Sequence, residues 1–233
     1  MEGRCYYATT KGTPQGGVVS PILANIYLHY LLDKWFLREV KPYCIGKVEM
    51  IRYCDDFVIC TETKADADDI LYQLEQRLEK GKLRLSKEKT KVVTFRPPDD
   101  RNGNGKAGTF NFLGFTHYWE KSRKGFYKIS RRTERKRFAK AVFMVKRWLE
   151  GNRNRLPLKE IWKRTKQMLS GHYGYYGVSD NYDQLQKYLY LVESLLFKWL
   201  NRRSQRRSFN WYQFAVYKQR YPLPKPRIYH KFY

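Results

Sequence analysis

The sequence is poor in cysteine and has no long apolar run, and each absence excludes a class of protein. Four cysteines occur among 233 residues, without a CxxC pair and without a histidine at zinc-ligand spacing. This pattern excludes a disulfide scaffold and a zinc finger and indicates reduced thiols in a cytoplasmic protein. No apolar stretch reaches the roughly 18 residues that a membrane-spanning helix needs, and the first residues lack the apolar core of a secretory signal. The sequence therefore predicts no membrane partner.

Acidic residues are scarce in the second half of the chain, which makes that half strongly basic. Residues 1–100 carry 16 Lys and Arg against 15 Asp and Glu, whereas residues 101–233 carry 31 against 7. Tryptophan and tyrosine are interspersed among these cations, a mixture suited to neutralising phosphates and stacking on bases. A solvated basic surface is one alternative, and a membrane-surface helix would need one dominant amphipathic segment. Because the charge lies in several segments, nucleic acid is the favoured partner.

Hydrophobic patterns predict a mixed α and β segment followed by helices. One helix is expected from Ser20, as N-cap before Pro21, to about Phe36, and a second over residues 65–80. β-Rich runs predict strands at 48–53, 57–61, Lys91–Phe95 and Phe110–Thr116. From about residue 131 onward, apolar residues recur at helical spacing in two stripes. This order indicates an α+β fold with its joint near residues 118–131.

Two adjacent carboxylates, Asp55 and Asp56, separate two of the predicted strands. Neighbouring carboxylates repel unless cations neutralise them, and divalent ions bridged by such a pair catalyse phosphoryl transfer. Strand alternation would place Asp55 with Tyr53 on one face and Cys54 with Asp56 on the other, which favours Asp55 as the direct ligand. Taken alone, the dipeptide is more typical of an ordinary hairpin turn.

A glycine-rich loop precedes the first predicted helix, and it holds the run Pro14, Gln15, Gly16 and Gly17. Glycine allows a backbone to approach a ligand closely, and the Gln15 amide offers two donors and an acceptor. The loop suits a nucleotide pocket, and a plain structural turn fits its composition equally well.

Several segments, taken in order, resemble those of group II intron reverse transcriptases. The first four are Thr13–Leu28, Ile51–Val58, Leu83–Val92 and Phe112–Phe115. Later segments resemble the thumb or maturase region of the same family: Gly171–Gly177, Leu196–Phe209 and Pro222–Ile228. The resemblance implies a partial reverse-transcriptase palm of antiparallel strands and packed helices over residues 1–120. It implies a basic helical thumb or maturase domain over residues 121–233.

The resemblance also implies roles for individual residues. Asp55 and Asp56 match the catalytic pair that binds two Mg²⁺ ions, and Lys89 matches a lysine near the nucleotide phosphates, with a solvated surface charge as its alternative. Contacts with nucleotide, template or primer are implied for Tyr53, Pro14, Gln15, Gly16, Gly17, Phe112, Leu113 and Gly114. For Phe112 and Leu113, a place in a core strand is the alternative interpretation.

Two basic clusters in the second half are the predicted RNA-binding residues. Their members are Arg131, Arg132, Arg135, Lys136 and Arg137, and Arg202, Arg203, Arg206 and Arg207. Helical spacing would place Arg202 with Arg206, and Arg203 with Arg207, on shared faces. Since cations also favour a helix C-terminus, a solvated helix end is the alternative for the second cluster.

Two departures from the family pattern affect the expected activity. Cys54 stands where the family usually has alanine, a small change in size that does not exclude activity. The family's third catalytic carboxylate lies on an earlier strand, and Glu2 is the only acid before Gln15. We therefore expect the C-terminal part of a longer enzyme, lacking the fingers and front palm, that does not polymerise alone.

The implied function is RNA-directed DNA polymerisation by two-metal nucleotidyl transfer together with intron maturase activity, in the bacterial cytoplasm. The implied partners are group II intron RNA, an RNA template with a DNA primer, deoxynucleoside triphosphates, and an upstream polypeptide that supplies the missing palm. Two alternatives stay open at this point: an RNA-binding splicing factor without polymerisation, and an inactive truncated remnant.

Overall fold

A computed structural model describes residues 18–98, 107–203 and 208–232. Contacts within the chain divide it into two compact units, Met1–Val93 and Thr94–Tyr233. Both units combine helices with antiparallel strands, which confirms the predicted α+β class. Among the described helices, none is long and apolar enough to cross a membrane. The assignment of residues 1–120 to a palm and 121–233 to a thumb stays a prediction.

The first unit consists of a long helical arm, a β-hairpin and a second helix. The arm comprises α1 (Ser20–Leu28), π-helical turns at His29–Asp33 and Phe36–Val40, and a 3₁₀ turn at Lys41–Tyr43. The hairpin comprises β1 (Val48–Tyr53) and β2 (Asp56–Thr61), and α2 spans Lys64–Lys80. Both strands and α2 confirm the predicted elements within one residue.

The start of α1 differs from the prediction that Ser20 caps it. Val19 occupies the capping position, no side chain caps the helix, and Pro21 lies within its first two positions. The Val19 carbonyl accepts the amides of Ile22 and Leu23 at 3.0 and 3.1 Å. Because the helix already begins with these bonds, Ser20 becomes its first residue.

Apolar residues of the arm and of α2 form the core of the first unit. Leu32, Trp35, Phe36, Val40, Val48, Ile70, Leu74 and Leu78 are buried together. The side chain of Thr63 caps α2 by accepting the Asp66 amide at 3.1 Å. The Asp66 carboxylate accepts the backbone amides of Ile45 and Gly46 at 2.9 and 3.0 Å. These bonds tie the loop before β1 to the start of α2.

The predicted strand at Lys91–Phe95 is wrong, because residues 91–98 adopt no regular structure. The segment has a β-rich composition, but no described strand pairs with its backbone. Phe95 instead packs through its ring, with centroids 4.9 Å from Phe110 and 5.4 Å from Trp119.

The second unit begins with a three-stranded sheet in the order β3-β4-β5. Its strands are β3 (Phe110–Phe112), β4 (Phe115–Lys121) and β5 (Tyr127–Thr133), and its helices are α3 (Arg135–Asn152), α4 (Leu158–Tyr176), α5 (Tyr182–Leu200) and α6 (Trp211–Arg220). The predicted single strand at Phe110–Thr116 is therefore two strands. The helices begin at Arg135 rather than at about residue 131, because Arg131 and Arg132 pair with His117 and Thr116 in the ladder between β4 and β5.

Both predicted helical stripes lie in the core of the second unit. Val145 and Leu149 of α3 are buried, and the members of the α5 stripe are buried or packed against this core. Leu169 and Tyr173 of α4 and Phe214 of α6 belong to the same cluster. The four helices therefore share one apolar core.

His172 lies in this core, and its buried Nε2 atom has no hydrogen-bond partner within the described part of the chain. Its ring stacks on Tyr188 with the centroids 3.8 Å apart. Burial lowers the pKa of His172 to about 4. The folded protein therefore holds this imidazole neutral at pH values where the unfolded chain binds a proton.

We expect the second unit to lose stability between about pH 6.5 and pH 4 because of His172. The unfolded imidazole titrates near its ordinary pKa and the folded one near 4. The free energy of unfolding is therefore highest above this window and falls as the pH drops through it. Its loss on acidification amounts to about 3 kcal/mol. Urea unfolding followed by tryptophan fluorescence measures it, and His172→Phe is the matched variant. Burial also lowers the pKa of His117, which is present in both proteins, so the difference between parent and variant isolates His172. Equal loss of stability in acid by parent and variant would contradict the role of His172.

Candidate active site and nucleic-acid surface

Asp55 and Asp56 lie at the tip of the hairpin formed by β1 and β2. The strands pair in register up to Tyr53 and Asp56, so Cys54 and Asp55 form a two-residue turn. Cys54 adopts the left-handed conformation with a φ of 55°. Strand alternation therefore ends at Tyr53, and the prediction that Asp55 and Asp56 occupy opposite faces of one strand is wrong. Both aspartates stand at the same end of the hairpin.

The two carboxylates are available to a ligand. Both residues are exposed, and among the described residues neither side chain accepts a hydrogen bond or forms an ion pair. Carboxylate oxygens are the hard donors that Mg²⁺ prefers, and adjacent unpaired carboxylates attract a divalent cation. The donor set thus fits part of a magnesium site. No cluster of three His, Cys, Asp or Glu side chains suited to a metal occurs in residues 18–98, 107–203 and 208–232.

Arg52 joins the hairpin tip to the helical arm. Its Nε and Nη2 donate to Oδ1 and Oδ2 of Asp33 at 2.7 and 2.6 Å. Its Nη1 donates to Oδ1 of Asn25 at 2.9 Å and to the Cys54 carbonyl at 2.8 Å. The hydrogen bonds from Arg52 lower the pKa of Asp33. Sequence reasoning missed this network, because no local spacing shows that the arm packs beside β1.

The other residues predicted near the nucleotide are only partly described. Tyr53 is 63% exposed beside the two aspartates. Lys89 is exposed and lies in a turn, in which its own backbone amide donates to the Ser86 carbonyl at 3.0 Å. Their proposed contacts stay predictions. Outside the described residues lie Pro14, Gln15, Gly16, Gly17, Arg206 and Arg207.

Leu113 and Gly114 form the turn between β3 and β4, and Phe112 is the last residue of β3. Leu113 and Gly114 both have positive φ, at 48° and 75°, a conformation that glycine adopts without cost. The Tyr175 hydroxyl donates to the Leu113 carbonyl at 3.0 Å. A Cβ added to Gly114 would lie 3.1 Å from the Tyr176 hydroxyl oxygen. The structure therefore brings this turn together with the end of α4, a contact that sequence reasoning missed.

Arg131 and Arg132 of the first basic cluster lie on β5. The exposed Arg132 places its guanidinium 5.0 Å from the centroid of the Tyr118 ring. The half-buried Arg131 guanidinium lies 4.1 Å from the Phe232 ring centroid. Cation–π packing of this kind limits the conformations available to both arginines.

The first turn of α3 carries the other three cations of this cluster. Arg135, Lys136 and Arg137 are exposed, and the turn contains no acidic residue. Arg137 approaches Glu134 at 3.8 Å, whereas Arg135 and Lys136 have no acidic partner within the described ranges. The helix dipole is positive at this end, so three cations there oppose it. A bound polyanion would offset that cost.

Two residues of the second basic cluster, Arg202 and Arg203, follow the end of α5. The helix ends at Leu200, and the Asn201 side-chain oxygen accepts the Phe209 amide at 2.7 Å. Arg202 places its guanidinium 5.4 Å from the Trp199 ring, and Arg203 donates to the Leu156 carbonyl at 3.1 Å. Because Arg206 and Arg207 lie outside the described residues, the pairing of Arg202 with Arg206 and of Arg203 with Arg207 stays a prediction.

Comparison with known proteins identifies the class to which this fold and hairpin belong. Residues 2–117 match the family described as reverse transcriptase (RNA-dependent DNA polymerase), a range that includes the Asp55–Asp56 tip. Protein YkfC of Escherichia coli (strain K12) is 32% identical over 53% of this chain and 37% of its own length. Over residues 2–117, the chain belongs to the reverse transcriptase family.

A second relative indicates the branch of that family. Group II intron-encoded protein LtrA of Lactococcus lactis subsp. cremoris is 58% identical over 38 residues, which are 16% of this chain and 6% of LtrA. The match supports the resemblance to group II intron reverse transcriptases and maturases. The aligned parts of the chain span well under half the length of both relatives.

Proposed function

We propose that this chain supplies the catalytic hairpin and an RNA-binding helical part of a group II intron reverse transcriptase and maturase. The observation that carries the proposal is the exposed pair Asp55 and Asp56 at a hairpin tip, within residues 2–117 that match the family. The strongly basic second half supports the nucleic-acid part of the proposal.

In the proposed reaction, Asp55 and Asp56 hold Mg²⁺ while Tyr53 lies beside the primer end. When bound, Mg²⁺ would activate the attacking 3′ hydroxyl and neutralise charge on the leaving pyrophosphate. Gln15 and Gly16 contact the incoming deoxynucleoside triphosphate and the template, and Lys89 donates to the phosphates. A polypeptide carrying the fingers and front palm supplies the remaining carboxylate.

In the proposed interaction with intron RNA, the cluster at β5 and the start of α3 contacts phosphates. Arg135 and Lys136 are exposed and lack acidic partners within the described ranges, so binding them breaks no ion pair. Arg203 already donates to a backbone carbonyl, which makes the second cluster the weaker candidate.

The triple variant Arg135→Gln, Lys136→Gln, Arg137→Gln is expected to weaken RNA binding and its salt dependence. Each lost phosphate contact removes one released counterion, so the log–log slope of affinity against salt becomes shallower by about two to three units. Fluorescence anisotropy with a group II intron RNA fragment measures both quantities.

A matched control removes the same charge from exposed positions of α4, as Lys159→Gln, Lys163→Gln, Arg164→Gln. If the control weakens RNA binding and its salt dependence equally, the cluster acts only as general surface charge, which contradicts its proposed role. An unchanged slope in the first variant, with a reduced slope after substitution of Arg202, Arg203, Arg206 and Arg207, would place the RNA at the second cluster instead.

A further inference from the structure

Arg52 uses its side chain to hold several parts of the first unit at once. The side chain is only 12% exposed. It makes four hydrogen bonds, two with the Asp33 carboxylate, one with Asn25 and one with the Cys54 carbonyl. A two-point bond between guanidinium and carboxylate fixes orientation as well as distance. The bonds to Asp33 and Asn25 therefore fix the Arg52 guanidinium to the helical arm, and its bond to Cys54 joins the arm to the turn.

The turn that Arg52 reaches has a backbone conformation that side chains with a Cβ rarely adopt. Cys54 has a φ of 55°, in the left-handed region that disfavours every residue except glycine. Such conformations persist where surrounding contacts determine them. Two hydrogen bonds reach Cys54, from Arg52 to its carbonyl at 2.8 Å and from the Asn25 amide to its Sγ atom at 3.9 Å. Both come from the same network.

Arg52 touches the backbone of the turn and leaves the two carboxylates free. No hydrogen bond or ion pair links it to Asp55 or Asp56 among the described residues. We propose that Arg52 is a positioning residue, anchored by Asp33 and Asn25, that holds the Cys54–Asp55 turn in the conformation in which Asp55 and Asp56 bind metal. This inference rests on the proposed function of the hairpin. Lysine keeps the charge but cannot reproduce the two-point bond to Asp33.

Amide hydrogen exchange by NMR, without metal, tests the positioning role in the full chain. In Arg52→Lys, exchange of the Tyr53 and Asp56 amides, on the paired residues next to the turn, is expected to rise about tenfold, the effect of losing one hydrogen bond to a charged group. Amides of α2 in the core are expected to keep their rates. The control is Arg77→Lys, which removes another arginine of the first unit that donates to the arm, at the Leu31 carbonyl. The control is expected to leave the turn amides unchanged.

A Mn²⁺ titration of the same samples connects the turn to metal binding. Mn²⁺ is expected to broaden the turn amides of the parent, Arg52→Lys to require several times more Mn²⁺, and Asp55→Asn to show no selective broadening. Unchanged turn exchange together with an unchanged titration in Arg52→Lys would overturn the positioning role. Broadening that survives Asp55→Asn would instead overturn the proposed metal site, and the exchange data would still decide whether Arg52 holds the turn.

Discussion

Asn181→Ala is expected to lower the free energy of unfolding of the second unit by about 3 kcal/mol or more. Asn181 is fully buried. Its Nδ2 donates to the Thr133 hydroxyl at 2.8 Å and the Tyr176 carbonyl at 2.9 Å, and its Oδ1 accepts the Thr133 amide at 2.8 Å. Alanine would leave the Thr133 amide, the Thr133 hydroxyl and the Tyr176 carbonyl without their bonds to Asn181 in the protein interior. Each unpaired group costs about 1–3 kcal/mol. No other residue ties the end of β5 to α4 with three such bonds among the described residues.

Urea unfolding of parent and variant measures this effect, and Asn154→Ala is the matched control. Asn154 is exposed in the turn after α3 and makes no side-chain hydrogen bond within the described ranges. Its removal is expected to change stability by less than about 0.5 kcal/mol. A loss below about 1 kcal/mol in Asn181→Ala would show that water or rearranged neighbours replace the three bonds.

Asp55→Asn is expected to reduce primer extension by about 1,000-fold or more in a complete polymerase that contains this chain. Asparagine keeps the size and one oxygen of the side chain but loses the negative charge that binds a divalent cation. Asp68→Asn is the matched control, since Asp68 is exposed on α2 and forms no ion pair among the described residues. Activity of Asp55→Asn within a few-fold of the parent would contradict the role proposed for the hairpin.

Local patterns explain why much of the first unit could be predicted from the sequence. The apolar spacing of Ile70, Leu74 and Leu78 predicts α2 and its buried face, and both are observed. The two β-rich runs around Asp55 and Asp56 predict a hairpin with a tight acidic turn, also as observed. In each case the signal lies within one helix turn or one strand pair, so neighbouring residues suffice to specify it.

Contacts between distant residues explain what the sequence did not predict. Arg52 meets Asp33 and Asn25 across 19 and 27 positions, and no local period encodes such a meeting. Arg131 and Arg132 look like the start of a helical stretch, yet pairing with β4 makes them strand. The run at Lys91–Phe95 has strand composition, and without a partner strand among the described residues it stays irregular. Strand formation depends on a partner in a way that helix formation does not.

Magnesium-dependent extension of a DNA primer on an RNA template tests the central claim most directly. The assay compares this chain alone with the same chain paired with a polypeptide that carries the family's fingers and front palm. Because two metal ions need a further carboxylate, we predict extension by the pair, no extension by the chain alone, and loss of extension when the chain carries Asp55→Asn. RNA binding without extension by the pair would contradict the account and indicate a splicing factor that does not polymerise. Extension that survives Asp55→Asn in the pair would contradict it equally.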